Sequence, residues 1–213
     1  MDARCFTVGP VAENCWIVRR DGSERALLVD PGDEPERLEA ALGALGVRVE
    51  AILITHCHFD HVGAVAPLAR ATGAPVYCPR PEVPILADIM AYVPWPGFGP
   101  YESYEADEAV DGGERLELAG FSIDVLSTPG HSPGHVTYVL DGEGAMLSGD
   151  VLFAGSIGRT DLPGADHSTL MASLQTLLDT LPDDTRVLPG HMGTTTIGRE
   201  RATNPFLQHL AAR

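Results

Sequence analysis

The chain has 213 residues, 44% of them hydrophobic, and a formal net charge of −16 set against 14 arginines and no lysine. That length buries a sizeable core in one domain and is short for two, so residues 1–213 are expected to form a single domain. So acidic a chain excludes nucleic acid and anionic membrane surfaces as partners, because both demand a basic footprint.

The first stretch, MDARCFTVGPVAENCW, lacks the basic and then apolar pattern of a secretory signal. No apolar run approaches the roughly 20 residues needed to span a bilayer. The expectation is a cytoplasmic protein, monomeric or homodimeric, acting on a small molecule. CFTVG and NCWIVRR read as two strands, followed by RALLVD (25–30). Residues 34–45 carry Leu38, Leu42 and Leu45 on one helical face, and Gly46 stops the helix. VEAILIT (49–55) is a strand, 63–72 a helix of small residues, and APVYC (74–78) another strand.

Residues 79–111 break the alternation with Pro79, Pro81, Pro84, Pro94, Pro96 and Pro100. Within them lie Tyr92, Trp95, Phe98, Tyr101 and Tyr104, too many aromatics for a disordered linker. A loop of that length in a compact domain is a candidate lid or substrate contact, or simple packing over a sheet edge. Strands follow at 121–127, 135–140, 145–150 and 185–190. A helix over 167–180 has Asp166 as its N-cap, and a last helix starts near Thr196 and stops before Asn204–Pro205.

The chemistry gathers where strands end. ILITHCHFDHVG (52–63) places His56, His58, Asp60 and His61 within six positions. Neutral imidazoles and a carboxylate suit borderline cations such as zinc or iron. Alternate residues of an extended segment point the same way, so His56 and His58 can share an ion, and Asp60 and His61 can face a second. STPGH, LSGD and VLPGH each end an apolar run with a further ligand type: His131, Asp150 and His191. Gly130, Gly149 and Gly190 precede them and permit close backbone approach.

This H-x-H-x-D-H run with a later His, Asp and His resembles the metallo-β-lactamase superfamily, from VDPGD (29–33) to the last PGH (189–191). The resemblance implies an α/β fold, a four-layer αββα sandwich of two mixed sheets with helices on both outer faces. It implies two metal ions, zinc first, with iron or manganese as alternatives. His56, His58 and His131 would hold one, and Asp60, His61 and His191 the other. Asp150 would bridge them, and a hydroxide would lie between. Asp60 and Asp150 are thereby the candidate catalytic carboxylates.

Other polar residues carry two readings each. Asp30, in LLVDPG, either orients a ligand histidine or serves a turn. His135 reads as a buried, hydrogen-bonded structural residue, while His167 and His209 receive no role. Cys5, Cys15, Cys57 and Cys78 contain no C-x-x-C pair and read as free thiols, with Cys57 packed away from the histidines that flank it.

LFAGSIGRTDLPGAD (152–166) and GHMGTTTIGRERATNPFL (190–207) resemble the short, single-domain glyoxalase II-like branch. That implies hydrolysis of a thioester such as S-(2-hydroxyacyl)glutathione. A thiolate leaves without strong protonation, its conjugate acid having a pKa near 8.5, which suits a site with no evident general acid. The 22 residues that follow His191 match none of the basic glutathione-binding helical domain of the two-domain members, so none of its residues is carried over, and Arg159 is the remaining candidate for a substrate carboxylate, or else pairs with Asp161. A mononuclear-iron persulfide dioxygenase using His56, His131 and Asp150 is the alternative enzyme, and a non-catalytic metal or redox module the alternative outside catalysis.

Overall fold

The computed structural model describes residues 1–93, 95–208 and 210, which leaves His209 outside the described residues. The chain opens with an antiparallel run of β1 (Asp2–Val8), β2 (Glu13–Arg19) and β3 (Arg25–Val29). Helix α1 (Pro35–Leu45) crosses to β4 (Arg48–Leu53), which pairs parallel to β3. Helices α2 (Phe59–Val62) and α3 (Val65–Thr72) lead to β5 (Val76–Pro79), and α4 (Val83–Ala87) precedes β6 (Glu108–Val110). These strands form a mixed six-stranded sheet in the order β1-β2-β3-β4-β5-β6.

The second sheet begins as a meander of β7 (Arg115–Leu118), β8 (Phe121–Ser127), β9 (Val136–Leu140) and β10 (Ala145–Gly149). A small hairpin, β11 (Leu152–Phe153) with β12 (Ser156–Ile157), stands apart from it. Helix α5 (His167–Thr180) crosses to β13 (Arg186–Pro189), parallel to β10, and β14 (Thr195–Thr196) and α6 (Ile197–Thr203) follow. The order is β14-β13-β10-β9-β8-β7.

Period-2 patterning explains why two sheets stack. In β2, Trp16 and Val18 face the second sheet while Ile17 faces the helices; in β3, Leu27 and Val29 face inward and Ala26 and Leu28 outward. Phe121, Ile123 and Val125 of β8 meet the first set across the inter-sheet core. A second apolar layer seats α1 and α3 through Leu38, Leu42, Val65 and Leu68. A third seats α5 on Met146 and Val187 through Leu170, Leu174, Leu177 and Leu178. Each fully buried leucine of that stripe contributes roughly 2 kcal/mol. Three apolar layers between four structural ones give the αββα sandwich.

The Asp166 side chain accepts from the Thr169 backbone N–H at 2.7 Å, capping α5, and Thr196 caps α6 in the same way. Residues 79–111 are more regular than the proline count predicts. Pro84 occupies the first turn of α4, where a missing N–H costs nothing, and residues 108–110 add a strand to the sheet. The helix expected over 63–72 is α3, and the single turn of α2 precedes it across Gly63 and Ala64. Among the described residues no helix is long and apolar enough to cross a membrane.

Candidate metal centre

The seven ligand-type residues converge at the carboxyl ends of β4, β8, β10 and β13, where α/β sheets gather their sites. His56 follows β4 and is fully buried; His58 is the extended residue just before α2, and Asp60 and His61 lie in its single turn. The segment turns as alternation predicts. His56 and His58 face one another, Nε2 to Nδ1, at 3.0 Å, while Cys57 points away, with its Sγ 3.6 Å from that of Cys78. Asp150 follows β10 after Gly149, and His191 follows β13 after Gly190.

The nitrogens of His56, His58 and His131 lie within 4.8 Å of one another, as do the ligand atoms of Asp60, His61 and His191. His58 Nδ1 is 2.9 Å from His131 Nε2, and His191 Nε2 is 3.2 Å from Asp60 Oδ2. Asp150 stands between the groups. Its Oδ2 is 3.5 Å from both His131 Nε2 and His191 Nε2, and its Oδ1 is 3.4 Å from His61 Nε2. A Cβ on Gly190 would fall against Asp150 Oδ1 and His61 Cε1, so a side chain there would fill the centre.

The outward ring nitrogens are held by the protein, which fixes the rings. His131 Nδ1 donates to the Arg159 carbonyl at 2.8 Å and His191 Nδ1 to the Ala12 carbonyl at 3.2 Å. His61 Nδ1 meets Asp30 Oδ2 at 3.1 Å. His56 Nδ1 meets the Thr55 hydroxyl, which donates to the same Asp30 oxygen at 2.7 Å. Asp30 also accepts from the Thr55 backbone N–H at 2.8 Å. It sits at a left-handed φ of 49°, a conformation aspartate tolerates better than most residues. His135 lies behind the cluster, buried, bonded to Thr128 Oγ1 and accepting from the Asp150 backbone N–H at 3.0 Å. His167 is exposed at the start of α5.

The electrostatics divide the cluster. Burial holds His56 far below the usual imidazole range, and burial together with His131 brings His58 down to about 3, so both present neutral lone pairs. Burial pulls His61 down as well, but the carboxylates of Asp150 and Asp60 outweigh it and raise it well above that range. Burial opposes ionisation of Asp150, yet His61 and the neighbouring rings hold its carboxyl far below its ordinary value. The field that would draw a proton onto His61 would draw a cation equally. Two buried atoms of the cluster, His61 Nε2 and Asp150 Oδ1, have no hydrogen-bond partner. Orphaned ligand atoms among five imidazoles and two carboxylates are what a divalent ion would satisfy, so the residues present fit one.

The cluster floors a cavity of about 770 Å³. Phe59, Tyr92, Val93, Trp95 and Leu162 contribute apolar wall, and Arg159 is the cationic side chain of the lining. Arg159 forms a two-pronged pair with Asp161 at 2.6 and 2.7 Å and lies 5.8 Å over the Trp95 ring. The aromatic loop serves two ends: Tyr92 and Trp95 border the cavity, while Phe98 and Tyr101 stack on Phe59, at ring distances of 4.7 and 5.8 Å, and join the helix-side core.

Several residues outside the motif hold the centre in place. Glu82, buried between two prolines in RPEVP, accepts from the Cys57 backbone N–H at 3.2 Å, the Ser132 hydroxyl at 2.7 Å and the Gly134 N–H at 2.8 Å. It ties the His58 segment to the His131 loop. Asn14 and Trp16 of β2 both donate to the Pro189 carbonyl, and Asn14 also to the Met192 carbonyl, which clasps the His191 turn. Glu13 is fully buried 3.8 Å from His61 Nδ1, with neither carboxyl oxygen bonded and burial pushing its carboxyl well up. The signal for these was a polar pair, Glu13–Asn14, heading an otherwise apolar strand, and an acid enclosed by prolines.

The family model described as metallo-beta-lactamase superfamily matches residues 8–191. Hydroxyacylglutathione hydrolase GloC of Haemophilus influenzae is 35% identical over 97% of this chain and 98% of its own length. The solved structure of BLEG-1 B3 metallo-beta-lactamase superposes with a TM-score of 0.92 at 38% identity, covering 97% of this chain and all of that one. TTHA1623 in a di-iron-bound form does so at 0.86 and 45%, covering 96% of this chain and all of that one. With the ligand-type residues gathered at four strand ends of an αββα sandwich and the family model spanning them, the chain belongs to the metallo-beta-lactamase superfamily.

Proposed function

We propose that the chain is a dinuclear metal-dependent hydrolase of thioesters such as S-(2-hydroxyacyl)glutathione. The carrying observation is the cluster itself, with His61 Nε2 and Asp150 Oδ1 buried and partnerless in its midst. His56, His58 and His131 would hold one ion, Asp60, His61 and His191 the other, and Asp150 would touch both. Bound there, two divalent ions would lower the pKa of water and stabilise an oxyanion. Zinc suits this imidazole and carboxylate set, and the di-iron form of TTHA1623 keeps iron in view.

The protein's own groups supply the rest. Asp30 fixes two rings at once, directly through His61 and through Thr55 to His56. Asp60 stays ionised because His61 and His191 outweigh its burial, and its carboxylate lines the cavity as a hydrogen-bond acceptor. Of the polar groups on the wall, Ser132 donates to Glu82 and Arg159 pairs with Asp161. A leaving group that needs no strong protonation suits such a wall, and a thiolate is one. The likeness to GloC supports the hydroxyacylglutathione substrate.

A mononuclear-iron persulfide dioxygenase is the second reading. What favours it is that His131 and Asp150 approach to 3.5 Å with His56 beside them, so three residues alone offer a facial set. Elemental analysis of protein purified without chelators separates the two. Near two ions per chain with turnover of S-lactoylglutathione supports the hydrolase. Near one iron with oxygen uptake on a persulfide overturns it. His58→Ala should abolish the hydrolysis and largely spare the dioxygenase.

A further inference from the structure

The cavity is far larger than the lactoyl group of S-lactoylglutathione requires, and its wall is apolar in a strongly acidic protein. Small-molecule sites commonly enclose roughly 300–1,000 Å³ and bury most of the ligand. At about 770 Å³ this one has room for a ring or a branched chain beside the reacting carbonyl. The apolar surface continues onto the rim. Val11, Tyr92, Trp95 and Met192, from three separate segments, are each more than a third exposed and all border the cavity mouth. Scattered exposed apolar side chains need no explanation, whereas a set ringing one opening marks a binding surface.

The charges point the same way. Among the described residues of the lining, Arg159 carries the one guanidinium or ammonium that a carrier with several anionic groups would meet, and it is already held by Asp161. The chain as a whole repels anions. Binding energy on this surface has to come from apolar contact. Phe59 joins the wall to the chemistry: it lies between His58 and Asp60, and Trp95 packs edge-on against it at 6.2 Å.

Resting on the hydrolase reading, we infer that this site selects substrates by a bulky apolar acyl group, aromatic or branched, seated against Phe59, Trp95 and Tyr92, and that the charged part of the carrier contributes little.

The test uses inert thioethers, so it reads binding without turnover. Glutathione and the uncharged thiol N-acetylcysteamine, each S-alkylated with methyl, butyl or hexyl, are titrated calorimetrically into the metal-loaded protein. In both series affinity should rise about two- to fourfold per methylene, the increment expected for burying CH₂. Trp95→Ala should flatten that slope. In parallel, hydrolysis of S-mandeloylglutathione should exceed that of S-lactoylglutathione by about tenfold or more in kcat/KM. A flat response to chain length in both series overturns the inference, as does an equal rate for the two thioesters. A steep binding slope with neither thioester cleaved leaves the apolar site standing and overturns the hydrolase reading instead.

Discussion

The floor of the cavity and its rim are built by opposite means. On the floor, the ligand-type side chains gather at strand ends; His56, His61, His131 and Asp150 are buried, and His56, His61, His131 and His191 have their ring orientation set by a hydrogen bond from behind. On the rim, Trp95 and Tyr92 are half exposed, and Trp95 is held by ring packing on Phe59 and Phe98. Hydrogen bonds to fixed backbone are directional, whereas apolar contact tolerates sliding. Precision is thus concentrated where a reaction needs it, and tolerance where different substrates must fit.

The largest test of that contrast is Gly130→Ala. Gly130 has φ 131° and packs so closely on α5 that a Cβ would land on the Leu170 backbone. The substitution should cost ~3 kcal/mol or more, read as a lower urea midpoint, because strain and overpacking act together beside His131. An unchanged midpoint would mean that the floor yields as readily as the rim. Next comes Asp30→Asn. Asparagine fits the left-handed backbone but turns a donor toward His61 or Thr55, so metal affinity measured against a competing chelator should fall about 10–100-fold with the fold intact. Normal affinity would make Asp30 a turn residue only.

Trp95→Ala tests the rim and should lower stability by less than about 1 kcal/mol, since its side chain is 41% exposed. A loss comparable to Gly130→Ala would place the rim in the structural core. The smallest effect is a pH dependence at the floor's edge. Hydrogen bonds from Ser168 and Thr169 hold the exposed Asp166 carboxyl down to about 2, from an ordinary 3.8. A carboxylate depressed on folding stabilises above its unfolded value and loses that contribution as pH falls through the folded one. The gap in urea midpoint between the parent and Asp166→Ala should therefore be open at neutral pH and close as the pH falls toward 2. A gap that persists there would assign the cap's effect to something other than its charge.

How much of this was legible in the sequence differs between the same two regions. The seven floor residues could be read because several imidazoles and carboxylates at strand ends are scarce without a cation to justify them. The long strands and α1 and α5 could be read because their apolar periods persist for several residues. Strands of two to four residues, such as β11, β12 and β14, are too short to show a period. Glu82 and Asn14 carried only the faint signals of an acid between prolines and a polar pair heading a strand, because glutamate and asparagine are ordinary surface residues until the fold buries them against particular backbone groups. Arg159 was legible only as two alternatives. In the structure its guanidinium is paired with Asp161, and its carbonyl, which no side-chain pattern announces, holds His131.

The clasp of Asn14 and Trp16 on the turn at Pro189 has a consequence in time as well as in space. The partners stand 175 and 173 positions apart, among the most distant hydrogen-bonded pairs in the chain. Contacts of such separation carry a high loop-closure entropy and slow the folding of chains that depend on them. The second strand to leave the ribosome must wait for nearly the whole protein before it meets the turn it secures. A nascent chain holding only the first four ligand-type residues is therefore a loose chelator, and the selective site exists only once synthesis has passed His191.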